Sequence, residues 1–251
     1  MDLLASEWIK TRSVRTTWVL VAGTVLVTVV VSLLGISGLL AGWQADLPGD
    51  FDPAGVSFKG ILVGQLLIAT VGAQTFTSEY ATGQIVTSLA IAPRRAVLLV
   101  AKLAVTALVA LATAVLTVAC SFGASQAALA AGGLPTADLA DADTVRAVLC
   151  AAGYLVLTAA LGVALGAITR SSSGALAVVV TVALLVPALA PGLPGVVGDL
   201  AGTYWPTTAG QASYATADTG GLTGPGGLAV MAVFTLWTVL AAHLTLRTRD
   251  A

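Results

Sequence analysis

Residues 78–95, SEYATGQIVTSLAIAPRR, decide how the chain is read. They separate an uncharged run, Gly60 to Ser78, from another that begins after Lys102. A polar interruption ending in Pro-Arg-Arg within so apolar a chain has the form of a loop between two membrane crossings. Across the 251 residues, 57% are hydrophobic and only 9% are charged, against about 25% charged in an ordinary soluble domain. Composition therefore excludes a soluble globular domain.

Uncharged runs extend over Thr16 to Ala45, Gly60 to Ser78, Leu103 to Ala137, Ala147 to Thr169, Ser171 to Gly198 and Thr219 to Leu246. Each reaches the roughly 18–20 residues that cross about 30 Å of hydrocarbon as a helix. In lipid the backbone must satisfy its own hydrogen bonds, which makes helices the spanning structure. The strand-length alternation of a barrel is absent. The expected fold is an all-α membrane protein with six spans, at 18–40, 61–78, 98–129, 147–168, 174–190 and 228–247. Residues 1–251 form a single transmembrane domain on this reading.

Residues 1–17 mix Leu3, Leu4, Trp8 and Ile9 with Lys10, Arg12 and Arg15, the pattern of a helix lying on the membrane surface. With about 23 apolar residues and the leader acids Asp2 and Glu7, the first span reads as retained rather than as a cleaved signal. Residues 193–223 carry Gly202, Tyr204, Trp205, Pro206 and Gly210 and are expected to be extracellular or re-entrant. Pro187, Pro191 and Pro194 break the fifth helix as it approaches this region.

Six spans place both termini on one side. Nine of the eleven basic residues share it: Lys10, Arg12, Arg15, Arg94, Arg95, Lys102, Arg170, Arg247 and Arg249. Lys59 and Arg146 fall opposite, with eight of the twelve acids. The Lys/Arg excess marks the cytoplasmic face, so both termini are expected there. Residues 79–96 then form a cytoplasmic loop. Within it Ile85, Val86, Leu89 and Ala90 recur at helical spacing, Gln84, Thr87 and Ser88 occupy the other side, and Pro93 stops the helix. Arg94 and Arg95 are expected in water. Such a helix either rests on the membrane or is offered to the groove of a soluble partner.

This loop, continued as SEYATGQIVTSLAIAPRRAVLLVAKL, resembles the segment after the second helix of ABC-2 type ABC transporter permeases, notably actinobacterial ones. Ser6 to Trp18, SEWIKTRSVRTTW, resembles their leader; Leu161 to Val180, LGVALGAITRSSSGALAVVV, and Tyr204 to Gly210, YWPTTAG, add two further matches in register. The resemblance implies a permease subunit of the bacterial plasma membrane, paired with a second permease, identical or not. It also implies a soluble ATPase subunit that carries ATP and Mg, with no cofactor or metal on this chain and no nucleic-acid partner. Carried over by position, Glu79, Gly83, Ile85, Leu89, Pro93 and Arg94 would couple the ATPase to the spans. Family members are exporters working by alternating access.

The residues agree on what the chain lacks. None of Lys10, Lys59 and Lys102 follows a glycine, so the P-loop pattern G-x-x-x-x-G-K-[ST] cannot occur. A membrane protease finds no nucleophile motif beside His243, and Cys120 and Cys150 read as small apolar residues rather than ligands. A gradient-driven transporter, the alternative alongside a non-transport accessory protein, would place ionisable groups deep in its spans. The sequence is expected to keep charge out of them, with Glu79 at a boundary. That paucity suits an amphipathic or hydrophobic substrate. GVALG, Gly162 to Gly166, is a small-xxx-small pair that fixes no partner helix by itself.

Overall fold

In the computed structural model, residues 3–42, 51–91, 95–216, 222 and 224–248 are described. Met1, Asp2, Pro93, Arg94, Asp218, Arg249 and residues 43–50 lie outside them, as does part of the expected re-entrant stretch. Among the described residues the regular structure is helical: α1 (Leu3–Ser13), α2 (Arg15–Gly42), α3 (Pro53–Val56), α4 (Ile61–Thr82), α5 (Gln84–Ile91), α6 (Arg95–Ala131), α7 (Ala142–Thr169), α8 (Ser172–Val180), α9 (Val186–Leu189), α10 (Val196–Tyr204), α11 (Pro206–Ala212) and α12 (Pro225–Thr248). Six stretches are long and apolar enough to cross a membrane: α2, α4, α6, α7, α12 and the composite helix Ser172–Gly192.

The spans are not equivalent. About 61% of the apolar window of α7 and 56% of that of α4 is buried, against 22% for each of α2, α12 and Ser172–Gly192. The α4–α7 pair is therefore the centre, and glycine makes it tight. A Cβ on Gly162 would strike the Ala69 carbonyl, one on Gly166 the Ala73 carbonyl, and one on Gly72 the Ala159 carbonyl. The GVALG pair is thus spent on α4 of the same chain. Without a hydrophobic drive between helices in lipid, such close backbone approach is a principal source of packing energy.

The contact between α2 and α6 is polar and in step. Both helices run from the basic side outward, and Thr17, Thr24, Thr28 and Ser32 on α2 recur 89 positions later as Thr106, Thr113, Thr117 and Ser121, all buried. Three of these six threonines bond back to their own helix: Thr24 donates to the Leu20 carbonyl, Thr113 to that of Val109 and Thr117 to that of Thr113. The serines cross the gap. Ser121 donates to the Ser57 carbonyl at 2.6 Å and its oxygen lies 3.1 Å from the Ser32 hydroxyl, while Ser32 accepts the Gly60 amide at 2.9 Å.

The fifth span carries a π-helical turn, Thr181–Leu185, where the Val186 amide bonds the Thr181 carbonyl. Pro187 deprives the next carbonyl of its partner within the helix. In this register the Val182 carbonyl would need the amide of residue 187, and proline has none. Two donors from the returning segment take its place: Trp205 Nε1 at 2.7 Å and Thr207 Oγ1 at 3.0 Å. Helix α11 continues the chain, with Pro206, Thr207, Ala209 and Gly210 buried against the bundle. The segment that returns after the fifth helix is thus anchored on an orphaned carbonyl inside that helix.

Replacing Gly162 by Val should destabilise the chain by about 1–3 kcal/mol, as overpacking does in close-packed interiors. Gly123→Ala, where a Cβ meets nothing within 4 Å, should stay within about 0.5 kcal/mol of wild type. Unfolding of both variants in the same micelle measures the difference; equal stabilities would show that the α4–α7 approach is not limiting.

Candidate functional site

The basic ends of α1, α4, α5 and α6 converge on four charges. The residues on the packed face of α4 include Ile68, Gly72, Phe76 and Glu79, spaced three or four apart, so Glu79 extends a buried stripe. On α6 the corresponding stripe runs Leu98, Leu99, Lys102, Val105 and Val109. These two stripes bring an acid and a lysine face to face. Lys102 Nζ lies 2.7 Å from Glu79 Oε1 and 2.8 Å from Glu7 Oε2, and donates to the Thr75 carbonyl at 2.9 Å. Lys10 Nζ closes the ring from α1, 2.7 Å from Glu7 Oε1 and 2.8 Å from Glu79 Oε1, and bonds Ser88 Oγ of α5 at 3.1 Å.

Burial makes this cluster consequential. Lys102 is 2% exposed, Glu7 4% and Glu79 4%, while the Lys10 side chain remains 40% exposed. Glu79 was expected at the boundary of a span and Lys102 on the basic side; each lies near that end of a helix long and apolar enough to cross a membrane, and each is buried there. The cost is met by mutual neutralisation, two carboxylates against two ammonium groups. Lys102 also lies 5.2 Å from the Phe76 ring centroid, over its face. For Lys10, partial burial opposes the charge, yet the hydrogen bonds and charges of Glu7 and Glu79 outweigh it and hold the ammonium above its ordinary value of 10.5.

The residues expected to couple separate under this geometry. Glu79 is the hub of the cluster. Gly83 ends α4 in the left-handed region, φ 72°, a conformation that suits glycine and turns the chain into α5. Ile85 does not share an outward apolar face with Val86. It is 4% exposed, packed with Phe76, Leu98, Leu99 and Leu246, whereas Val86 is 61% exposed. Gln84 and Thr87 are exposed with Val86, and Ser88 is buried against Lys10. Leu89 belongs to α5; Pro93 and Arg94 lie outside the described residues. Arg95, expected in water, turns inward and donates to the Leu246 carbonyl. Tyr80 also meets a cation, with the Arg170 guanidinium 5.0 Å above its ring.

A cavity of about 250 Å3 opens beside the cluster, lined by Glu7, Lys10, Gln74, Glu79 and Lys102 together with Thr106 and several apolar side chains. Lys102 and Glu7 were not singled out from the sequence. The signal was present: an acid and a lysine each continue the packed stripe of a helix bounding the same loop. Among the described residues no group of three or more His, Cys, Asp or Glu is placed to hold a metal ion, and the described cysteines Cys120 and Cys150 are free.

An all-helical six-span membrane protein with a charged inner corner is the class this fold defines. The family model described as ABC-2 family transporter protein matches residues 3–188, and the chain belongs to that family. It is accordingly the membrane permease component of an ABC transporter. The match includes the charge cluster and α5 and ends within the fifth span. Neither a curated protein nor a solved structure matches the chain.

Removing one buried partner should be far worse than removing a pair. Lys102→Met should cost roughly 3–5 kcal/mol, and Lys102→Met with Glu79→Leu should recover much of that loss, because Glu7 and Lys10 still neutralise each other. A double-mutant cycle of unfolding in detergent reads the coupling; additive losses would sink the cluster as a unit. Because the folded-state value of Lys10 is raised, its contribution is fully present below 10.5 and is lost as pH climbs through the folded value. The attachment of α1 should therefore be flat from about pH 6 to 9 and loosen only in stronger alkali. A spin label at Ser13, in a Cys120→Ala/Cys150→Ala background, tracks it by mobility. Release near neutral pH would contradict the assignment.

Proposed function

We propose that the chain is one membrane half of an ABC exporter, that α5 is its contact with the ATPase, and that the basic face is cytoplasmic. The observation that carries the coupling role is the way α5 is fastened. One side is held by Ile85 in the core and Ser88 on Lys10, while Gln84, Val86 and Thr87 point away from the bundle. A helix so fixed presents a small, stiff surface to a groove. Through Lys10 and Lys102 it is joined to α1, α4 and α6 at once.

The basic face carries the Lys/Arg excess that marks the cytoplasm, the side on which a soluble ATPase meets its ATP. The peripheral spans α2, α12 and Ser172–Gly192, with about a fifth of their apolar windows buried, leave apolar faces to lipid and to a second permease. The apolar character of the spans favours an amphipathic or hydrophobic substrate, and the proposed setting is the bacterial plasma membrane.

Val86→Arg with Thr87→Arg tests the contact without touching the core. The double variant should insert normally and lose the ATPase that copurifies with wild type in mild detergent. Ile85→Asp is the contrasting change, expected to destabilise the fold itself. An ATPase retained by the double variant would move the contact away from α5; no copurifying ATPase with wild type would count against the exporter assembly.

A further inference from the structure

Four glycines among the described residues, Gly83, Gly133, Gly195 and Gly224, take a positive φ, and one other residue joins them. Arg170 closes α7 at φ 56° and ψ 14°, with its amide on the Gly166 carbonyl. Helices that end in this left-handed region usually do so on glycine, because a Cβ there crowds the following carbonyl. A non-glycine residue held so is strained, and the strain persists only where the surroundings impose it. Charge alone does not impose it. A cation suits the basic side and a helix C-terminus, but Thr169, half-buried in the last turn of α7, occupies a place that could carry one in ordinary helical geometry.

The arginine is tied instead to a neighbouring helix. Helices α4 and α7 run side by side in the same direction, with Ala69 facing Gly162 and Ala73 facing Gly166. The next step of that register sets Thr77 of α4 level with the end of α7. There Ser172 Oγ donates to Thr77 Oγ1 at 2.8 Å, and the Arg170 guanidinium lies 5.0 Å from the Tyr80 ring centroid. Tyr80 belongs to the last turn of α4. Its carbonyl accepts the Gly83 amide at 3.4 Å where the chain turns into α5, and its ring packs on the cluster that holds Ile85. The start of the fifth span is therefore fastened to the turn from which α5 departs. That span is otherwise loosely held, with 22% of its apolar window buried.

We infer that Arg170 is a positioning residue whose guanidinium clamps the start of the fifth span to the last turn of α4, so that a displacement of α5 reaches that span. A guanidinium is planar and stacks on an aromatic face, which a glycine in the same turn could not do. The clamp stands on the geometry of this chain; that an ATPase drives the displacement rests on the contact proposed for α5.

A nitroxide on Leu176→Cys, an exposed position one turn into α8, reports the clamp in a Cys120→Ala/Cys150→Ala background, with the full chain in phosphatidylcholine nanodiscs. Arg170→Gly removes the cation but suits the left-handed backbone. The melting temperature should therefore hold or rise while the mobile fraction of the label grows about two- to fivefold. Tyr80→Leu should loosen the label to the same extent, and the two changes together should loosen it no further. Arg170→Lys should return the line shape towards that of wild type. Unchanged mobility in Arg170→Gly, additive loosening in the double variant, or no recovery with lysine would each overturn the clamp. In the copurified complex, ATP with orthovanadate should alter the label's spectrum in the wild-type background and not in Arg170→Gly, with the ATPase still bound. An equal response in both, or none in either, overturns the relay and leaves the α5 contact standing. If the wild-type chain brings no ATPase, the exporter assembly fails, and the nanodisc measurements still decide the clamp.

Discussion

A lysine ammonium inside a membrane span must be neutralised in place, and the structure is organised around doing so for Lys102. A charged residue at a helix centre costs about 2.5–3.5 kcal/mol on insertion scales. Lys102 lies only two turns into α6, yet it is only 2% exposed. Glu79 and Glu7 each supply an oxygen within 2.8 Å. Each is then buried itself and must be matched, and Lys10 does this from α1. An element that would otherwise float on the membrane surface is held by the requirement that no buried charge be left alone.

The remaining interfaces divide the work by chemistry. Between α4 and α7 the glycines bring backbone against backbone, each facing a carbonyl of the other helix. Between α2 and α6 hydroxyls recur at matched heights, three of them bonded within their own helix and the serines bonded across the gap. The outer end closes with side chains bonded to irregular backbone. Gln126 Nε2 donates to the Pro53 carbonyl at 3.0 Å and to Ser57 Oγ at 2.9 Å, and Asp52 accepts the Thr216 amide at 2.8 Å. Buried between them, Tyr154 donates to Gln65.

Much of this was legible in residue order. Six uncharged runs of spanning length, sorted charge and the Pro-Arg-Arg interruption sufficed for an all-helical six-span fold, because span length and backbone satisfaction are one-dimensional constraints. A break in the regular pattern after the fifth span was legible as an accumulation of Gly and Pro, but the anchor of the returning segment was not. That Pro187 withholds a donor from Val182, and that Trp205 and Thr207 supply it, depends on a π turn that composition does not encode. The orientation of α5 was misread for a related reason. Ile85 and Val86 are adjacent, about 100° apart on a helix, and an apolar run of four cannot say which of the two faces the core. Glu7 and Lys102 were missed because each was counted as a charge on the basic side; their depth is set by helices that pack at that side rather than by the side itself.

The same corner constrains how α5 could pass a displacement to the spans. Its contacts with the bundle are of two kinds. Ile85 sits among Phe76, Leu98, Leu99 and Leu246, an apolar contact that tolerates sliding because dispersion is weakly directional. Ser88 bonds Lys10, whose other donors are fixed on Glu7 and Glu79, and such charged bonds are short and directional. A rotation of α5 can be absorbed at Ile85 but not at Ser88 without breaking a bond or moving Lys10. Moving Lys10 disturbs the carboxylates that neutralise Lys102, which α6 cannot leave bare. The stiff path inward therefore runs through the charges, and the one carboxylate oxygen they leave unused, Glu79 Oε2, lies at its hub.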